Sequence, residues 1–209
     1  MKTKTFSGTK VKTIAHALFK NTPLYIIPVI CYWLTNCAPS IAELAEIDPE
    51  AVIAKKSELL ADKSVSEETI TAVVNAHNNL GDAALQAKDF DEAEKQFNES
   101  LALDSNSKQA KYGLAMIKGH RLFKKGSNSA LWDSMEQFGK ALYYNPTKGE
   151  PHYWMGRAYE KKDDGDFELI VEAYEKALIG TLSNKLKKDT EERLAIVKKQ
   201  QKTFKEFWK

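Results

Sequence analysis

The residues from Ala76 to Asn106, AHNNLGDAALQAKDFDEAEKQFNESLALDSN, constrain this chain more than any other stretch: apolar positions recur at helical spacing on both sides of Lys88-Asp89. Two amphipathic helices joined by so short a hinge must fold back on each other as a hairpin. The plan returns downstream. Leu80-Gly81 recurs as Leu114-Ala115, 34 residues on, and as Met155-Gly156, another 41 on. On the second helix of each unit Phe97, Phe138 and Tyr174 correspond, as do Ser100, Ala141 and Ala177 three residues later. Each second helix closes on a similar tail, LALDSN, LYYNPT and LIGTLS. Periods of this size mark a repeat array, so an all-α helical-hairpin solenoid of about three units over residues 74–180 is expected.

The recurring residues have a packing logic. A small residue at Gly81, Ala115 and Gly156 lets the two helices of a hairpin approach closely, and the aromatic opposite fills the groove. Burying one such aromatic contributes about 1.5–3 kcal/mol. That is too little for one hairpin to offset its ordering entropy until a neighbour covers its open face. Between Leu114 and Phe138 lie seven more residues than between Leu80 and Phe97, about two helical turns. Each helix of the second unit should therefore grow by a turn, with Gly126-Ser-Asn-Ser129 at the tip. The third unit is two residues longer at KKDDGD, which lacks the alternating ligands and terminal Glu of a calcium loop. A turn with Asp166 as N-cap is expected there.

Ahead of the array, residues 37–50 read as a spacer and residues 51–73 as lead-in helices. Asp48-Pro49 marks a helix boundary, and Ser64 with Glu67 three residues on has capping-box spacing. LAEIDPE also looks like the tail of a decayed repeat. Behind the array, residues 181–209 form one helix with Leu186, Leu194, Val197, Phe204 and Trp208 as its apolar side and lysines around the rest. A capping helix that seals the last unit is expected, with docking of its basic face or aromatic end on an anionic surface as the alternative.

Leu80, Gly81, Ala93 and Phe97 match the tetratricopeptide repeat pattern, as do Gly156, Tyr159, Tyr174 and Ala177 in the third unit, while Pro146 closes the second. The chain therefore resembles tetratricopeptide repeat proteins. The resemblance implies a groove lined by the first helices of successive hairpins, where Asn78, Asp82, Tyr112, Met116, Tyr153 and Arg157 stand at partner-binding positions. Some family members clamp a partner's C-terminal carboxylate with a ring of Lys, Asn and Arg. One Arg and a counteracting Asp do not make that clamp here. Two tyrosines offer amphipathic contact area to an extended peptide or helix, although packing between hairpins would use them equally well.

The first twenty residues carry Lys2, Lys4, Lys10, Lys12 and Lys20, and Pro23 to Leu34 comes next as an uncharged apolar run. That is the order of a secretory signal. The run ends Leu34-Thr35-Asn36-Cys37, which resembles the lipobox of bacterial lipoproteins, with Asn36 standing where a smaller residue is usual. The resemblance implies a signal peptide over 1–36 and a lipidated Cys37, with Ala38 next to it implying the outer membrane facing the periplasm. A signal cleaved after Ser40 or Ala42, and an uncleaved anchor helix interrupted by Pro28, remain the alternatives.

Charge and chemistry narrow the function further. The net charge of +2 hides five lysines in residues 1–36 and a net of −8 in residues 37–184, so a concentrated basic surface for nucleic acid is absent from the body. Both cysteines, Cys31 and Cys37, lie near the N-terminus, which excludes a disulfide framework. His16, His77, His120 and His152 show no HxxxH spacing, and no nucleophile elbow or phosphate loop occurs. No enzyme activity, cofactor or metal is expected. The resemblance implies a membrane-tethered scaffold that binds a protein or peptide, or alternatively an accessory ligand-binding component of a transporter.

Overall fold

The computed structural model describes residues 39–62, 64–162 and 164–207. The chain divides into two units, Met1–Ser40 and Ile41–Lys209, and the second contains the helical array. The signal-like segment, Cys31, Cys37, His16 and Trp208 lie outside the described residues.

Ten helices are described: α1 Ile41–Ile47, α2 Pro49–Ala54, α3 Lys56–Leu59, α4 Glu67–Ala87, α5 Phe90–Leu103, α6 Lys108–Lys125, α7 Asn128–Tyr144, α8 Glu150–Lys162, α9 Phe167–Ile179 and α10 Asn184–Phe207. Helices α4/α5, α6/α7 and α8/α9 are the three hairpins. Among the described residues no helix is long and apolar enough to cross a membrane.

Sequence-local chemistry sets the boundaries. Ser66, Asp89, Ser107 and Ser127 each accept a backbone N–H three residues on, capping α4 to α7. Every hairpin turns through a residue with positive φ: Lys88 (64°), Gly126 (74°) and Gly165 (74°). Asp48 caps α2 with Pro49 in its first turn, as Asp48-Pro49 suggests. Ser64 does not cap α4, because its hydroxyl turns back to Asp62 and leaves the task to Ser66. Asp166 holds the N-cap position of α9 without a side-chain bond to its backbone. No break falls at residue 73, for α4 runs unbroken from 67 to 87 and residues 67–73 are its first two turns. The stretch read as a spacer folds as well: Ala45 of α1 and Val52 of α2 pack on Ala72, Val73 and Ala76 of α4. Asn79 donates to the Ala45 carbonyl.

Aromatic wedges hold the stack together. Phe97 is enclosed between Gly81 on α4 and Gly113 on α6, where a Cβ would lie 2.6 and 2.2 Å from its ring. Tyr174 meets Gly156 in the same way, at 2.6 Å, and packs with Val197 of α10. In the second unit the small residue against the ring is Gly119 rather than Ala115. The ring meets α6 four residues further along, about one turn, which conserves the face. Ala115 still packs in the same cluster as Phe138. The seven extra residues thus divide between the helices: four before Gly126, and three between Ser127 and Phe138 by comparison with Asp89 and Phe97. His120 stacks on Phe90 (5.4 Å) and meets the edges of Trp154 (4.6 Å) and Phe138 (5.6 Å), joining all three hairpins.

Candidate binding groove across the first helices

Three successive first helices, α4, α6 and α8, border one pocket of about 490 Å³, closed on the fourth side by the end of α7. Asp82, Leu85 and Gln86 come from α4, one turn apart on a single face. Helix α6 contributes Lys108, Gln109 and Tyr112, again within one turn. Tyr144, Asn145, Lys148 and Glu150 complete the wall.

The floor is the unusual part. Tyr112 is 8% exposed, and its hydroxyl is the buried side-chain polar atom that has no hydrogen-bond partner among the described residues. Burial, with the charges of Glu150 and Asp82 nearby, pushes its pKa far upward, so the phenol stays protonated. Asp82 accepts from Gln109 Nε2 at 2.8 Å, and Glu150 accepts from Trp154 Nε1 at 3.3 Å. Both carboxyls are held above their usual range, chiefly by desolvation, which their hydrogen bonds and Lys148 only partly offset. Glu150 is raised further by Asp82. Neither carboxylate enters an ion pair among the described residues. Lys108 and Lys148 sit exposed at the rim.

Of the six groove positions expected from the sequence, only Asp82 and Tyr112 meet in this pocket. Asn78 is buried and donates to Ser107 Oγ at 3.1 Å, and Met116 is enclosed beside Phe138. Both are packing residues: each lies one turn along the same face from Asp82 or Tyr112, where the neighbouring hairpin covers it. Tyr153 is buried too, and its hydroxyl donates to Asp189 at 2.6 Å while accepting from Arg157 at 3.0 Å. That pair belongs to a network with α10, in which Arg193 donates to Asp189 and Glu160 and Tyr174 donates to Glu160. Helix α10 therefore occupies the space that an occupant of Tyr153 and Arg157 would need. Glu150, Gln109 and Gln86 were not among the expected residues. A first-turn acid such as Glu150 has an ordinary role beside the helix dipole, and only the fold reveals that it faces Asp82. The i, i+4 spacing of Asp82 and Gln86 is the local signal that could have added Gln86 to this face.

Elsewhere the polar groups are structural. His77 Nδ1–H donates to Gln96 Oε1 at 2.7 Å and Nε2 accepts from Lys56, which also pairs with Glu99, tying α3 to the first hairpin. Arg121 spans Asp91 and Glu94 across α5 and α6. No cluster of three or more His, Cys, Asp or Glu among the described residues could hold a metal ion.

The family model of the tetratricopeptide repeat matches residues 74–107. No curated protein matches the sequence. The matched segment spans α4 from its third turn to the Ser107 cap, the unit whose Gly81–Phe97 wedge recurs in the two hairpins behind it. Residues 74–107 are thus a tetratricopeptide repeat, and with the hairpins behind it the described residues form an all-α tetratricopeptide-like solenoid.

Proposed function

We propose that this chain is a membrane-tethered, non-enzymatic adaptor that holds a segment of a partner protein in the pocket across α4, α6 and α8, with a lipid on Cys37 as its tether. Tetratricopeptide repeats serve as protein-interaction modules, and the general expectation of a protein partner comes from the family. The observation that carries the reading is the pocket itself: three first helices border it, and a buried Tyr112 hydroxyl at its floor lacks a partner. Its lining is as polar as it is apolar, with carboxylates, amides and lysines beside Leu85, Tyr112 and Tyr144, which supports an adaptor over a carrier of wholly apolar ligands. The tether, an envelope location and the outer-membrane face toward the periplasm rest on the basic–apolar–Cys37 order alone.

A photo-crosslinking residue at Gln86, compared with one at Lys95 on α5 outside the pocket, tests the groove in the native envelope. Adducts at position 86 and not at 95 are the expected result; no adduct at 86 sinks the groove reading. For the tether, Cys37→Ser should release the protein from membranes and abolish acyl labelling. Unchanged retention removes the lipoprotein claim.

A further inference from the structure

We propose that the pocket takes a basic side chain of the partner, the ammonium of a lysine or the guanidinium of an arginine, between Asp82 and Glu150 and over the Tyr112 hydroxyl. The inference rests on the groove reading and names what the groove selects.

Three acceptors from three different helices converge here: Asp82 on α4, Tyr112 on α6 and Glu150 at the start of α8. Each carboxylate has one neutral donor, Gln109 for Asp82 and Trp154 for Glu150, and neither has a cation within ion-pair distance among the described residues. A half-buried carboxylate without a counter-ion has lost water and gained little in return. The Tyr112 hydroxyl adds an enclosed oxygen with unused acceptor capacity. An ammonium carries three N–H donors and a guanidinium five, so either can satisfy all three groups at once. Two carboxylates and a phenol are too few oxygens for calcium or magnesium, which take six or more or keep several waters.

The rim lysines set the sign of the alternative. Lys108 and Lys148 are solvated, so their charges need no ligand, whereas an anion entering between them would face both carboxylates. Lys148 is near enough to lower the pKa of both acids and thus competes with an incoming cation. Burial of both carboxyls, which holds them above their usual range, agrees with sites that gain from a bound positive charge.

The test is an amide-shift titration of the isotope-labelled full chain with acetyl-Gly-Lys-Gly-amide, its Arg, norleucine and Glu counterparts, and putrescine. Saturable shifts at Asp82, Gln109 and Tyr112 are expected with the Lys and Arg peptides and not with norleucine. Asp82→Asn combined with Glu150→Gln should weaken the Lys peptide by at least about tenfold. Lys148→Ala, at an exposed position that leaves the fold intact, should tighten it by about twofold or more. A Glu peptide that binds at these residues, or Lys148→Ala that weakens the Lys peptide, overturns the assignment in favour of an anion. Putrescine binding as tightly as the peptide overturns it in favour of a free amine. Crosslinks retained at Gln86 with no shift from either basic peptide overturn the cation alone. Loss of those crosslinks removes the groove reading instead.

Discussion

A Cβ at Gly81 would stand 2.6 Å from the enclosed Phe97 ring, and at Gly139 it would meet nothing within 4 Å. The same substitution should therefore act with opposite signs at the two sites. Gly81→Ala should destabilise by about 1–3 kcal/mol, because overpacking outweighs the roughly 1 kcal/mol that Ala gains in a helix. Gly139→Ala should stabilise by up to about 1 kcal/mol. Urea unfolding of the two variants measures both, and a Gly81→Ala protein as stable as wild type would refute the wedge. His120 yields a pH prediction. Burial among Phe90, Phe138 and Trp154, aided by Lys88, pulls its pKa from 6.5 down to about 4. The unfolded chain thus binds more protons between those values, so the neutral imidazole's contribution is present above pH 6.5 and is lost as pH falls toward 4. The loss is about 3 kcal/mol at most. Thermal melts from pH 7 to 4 should show it, and His120→Phe should flatten that slope relative to wild type. The raised carboxyls Asp82 and Glu150 act in the opposite direction, since their neutral forms favour the folded chain at low pH.

The hairpin turns at Lys88-Asp89, Gly126 and Asp166 were legible in the sequence, whereas of the caps read there Ser64 bonds Asp62 and Asp166 makes no side-chain bond; Ser66, Asp89, Ser107 and Ser127 do the capping. The second unit's extra turns were legible as well, since seven residues preserve a helical face. What spacing did not reveal was long-range. Ala115 and Gly119 share that face, and the choice between them depends on how far α7 reaches along α6. Burial of Asn78 and Met116 depends likewise on the neighbouring hairpin, and α1 reads as a spacer until α4 is beside it. Helix α10 is the clearest case. Its apolar stripe was evident, but its polar attachment through Asp189 and Arg193 to Tyr153, Arg157, Glu160 and Tyr174 was not. Arg193→Ala leaves Asp189 and Glu160 without their shared donor, and it should cost about 1–3 kcal/mol. Hydrogen exchange should quicken in α10 and α8 and not in α4 or α5. Uniform acceleration through all hairpins would show that the network does not act locally.

At the scale of the molecule, each hairpin packs on the next among the described residues, and one further contact links the chain on either side of the third. The two linkers flanking the third hairpin touch each other: Gly149 N–H donates to the Thr181 carbonyl at 3.0 Å, and Thr181 N–H donates to the Thr147 carbonyl at 2.7 Å. A Cβ on Gly180 would fall 2.6 Å from the Gly149 backbone, so two glycines lie back to back. Gly180→Ala should pry them apart although its own φ of −79° suits any residue. Both α10 protection and the position of Glu150, one residue beyond Gly149, should change together, as exchange and amide shifts would report. Change in one alone would show that the linkers move separately. Change in both would show that this contact makes the terminal helix and the pocket wall share one equilibrium. Whatever fills the pocket must then tighten the far end of the chain by the factor with which the far end tightens the occupant. A repeat array assembled from independent units would have no such reciprocity, and here it would rest on two residues without side chains.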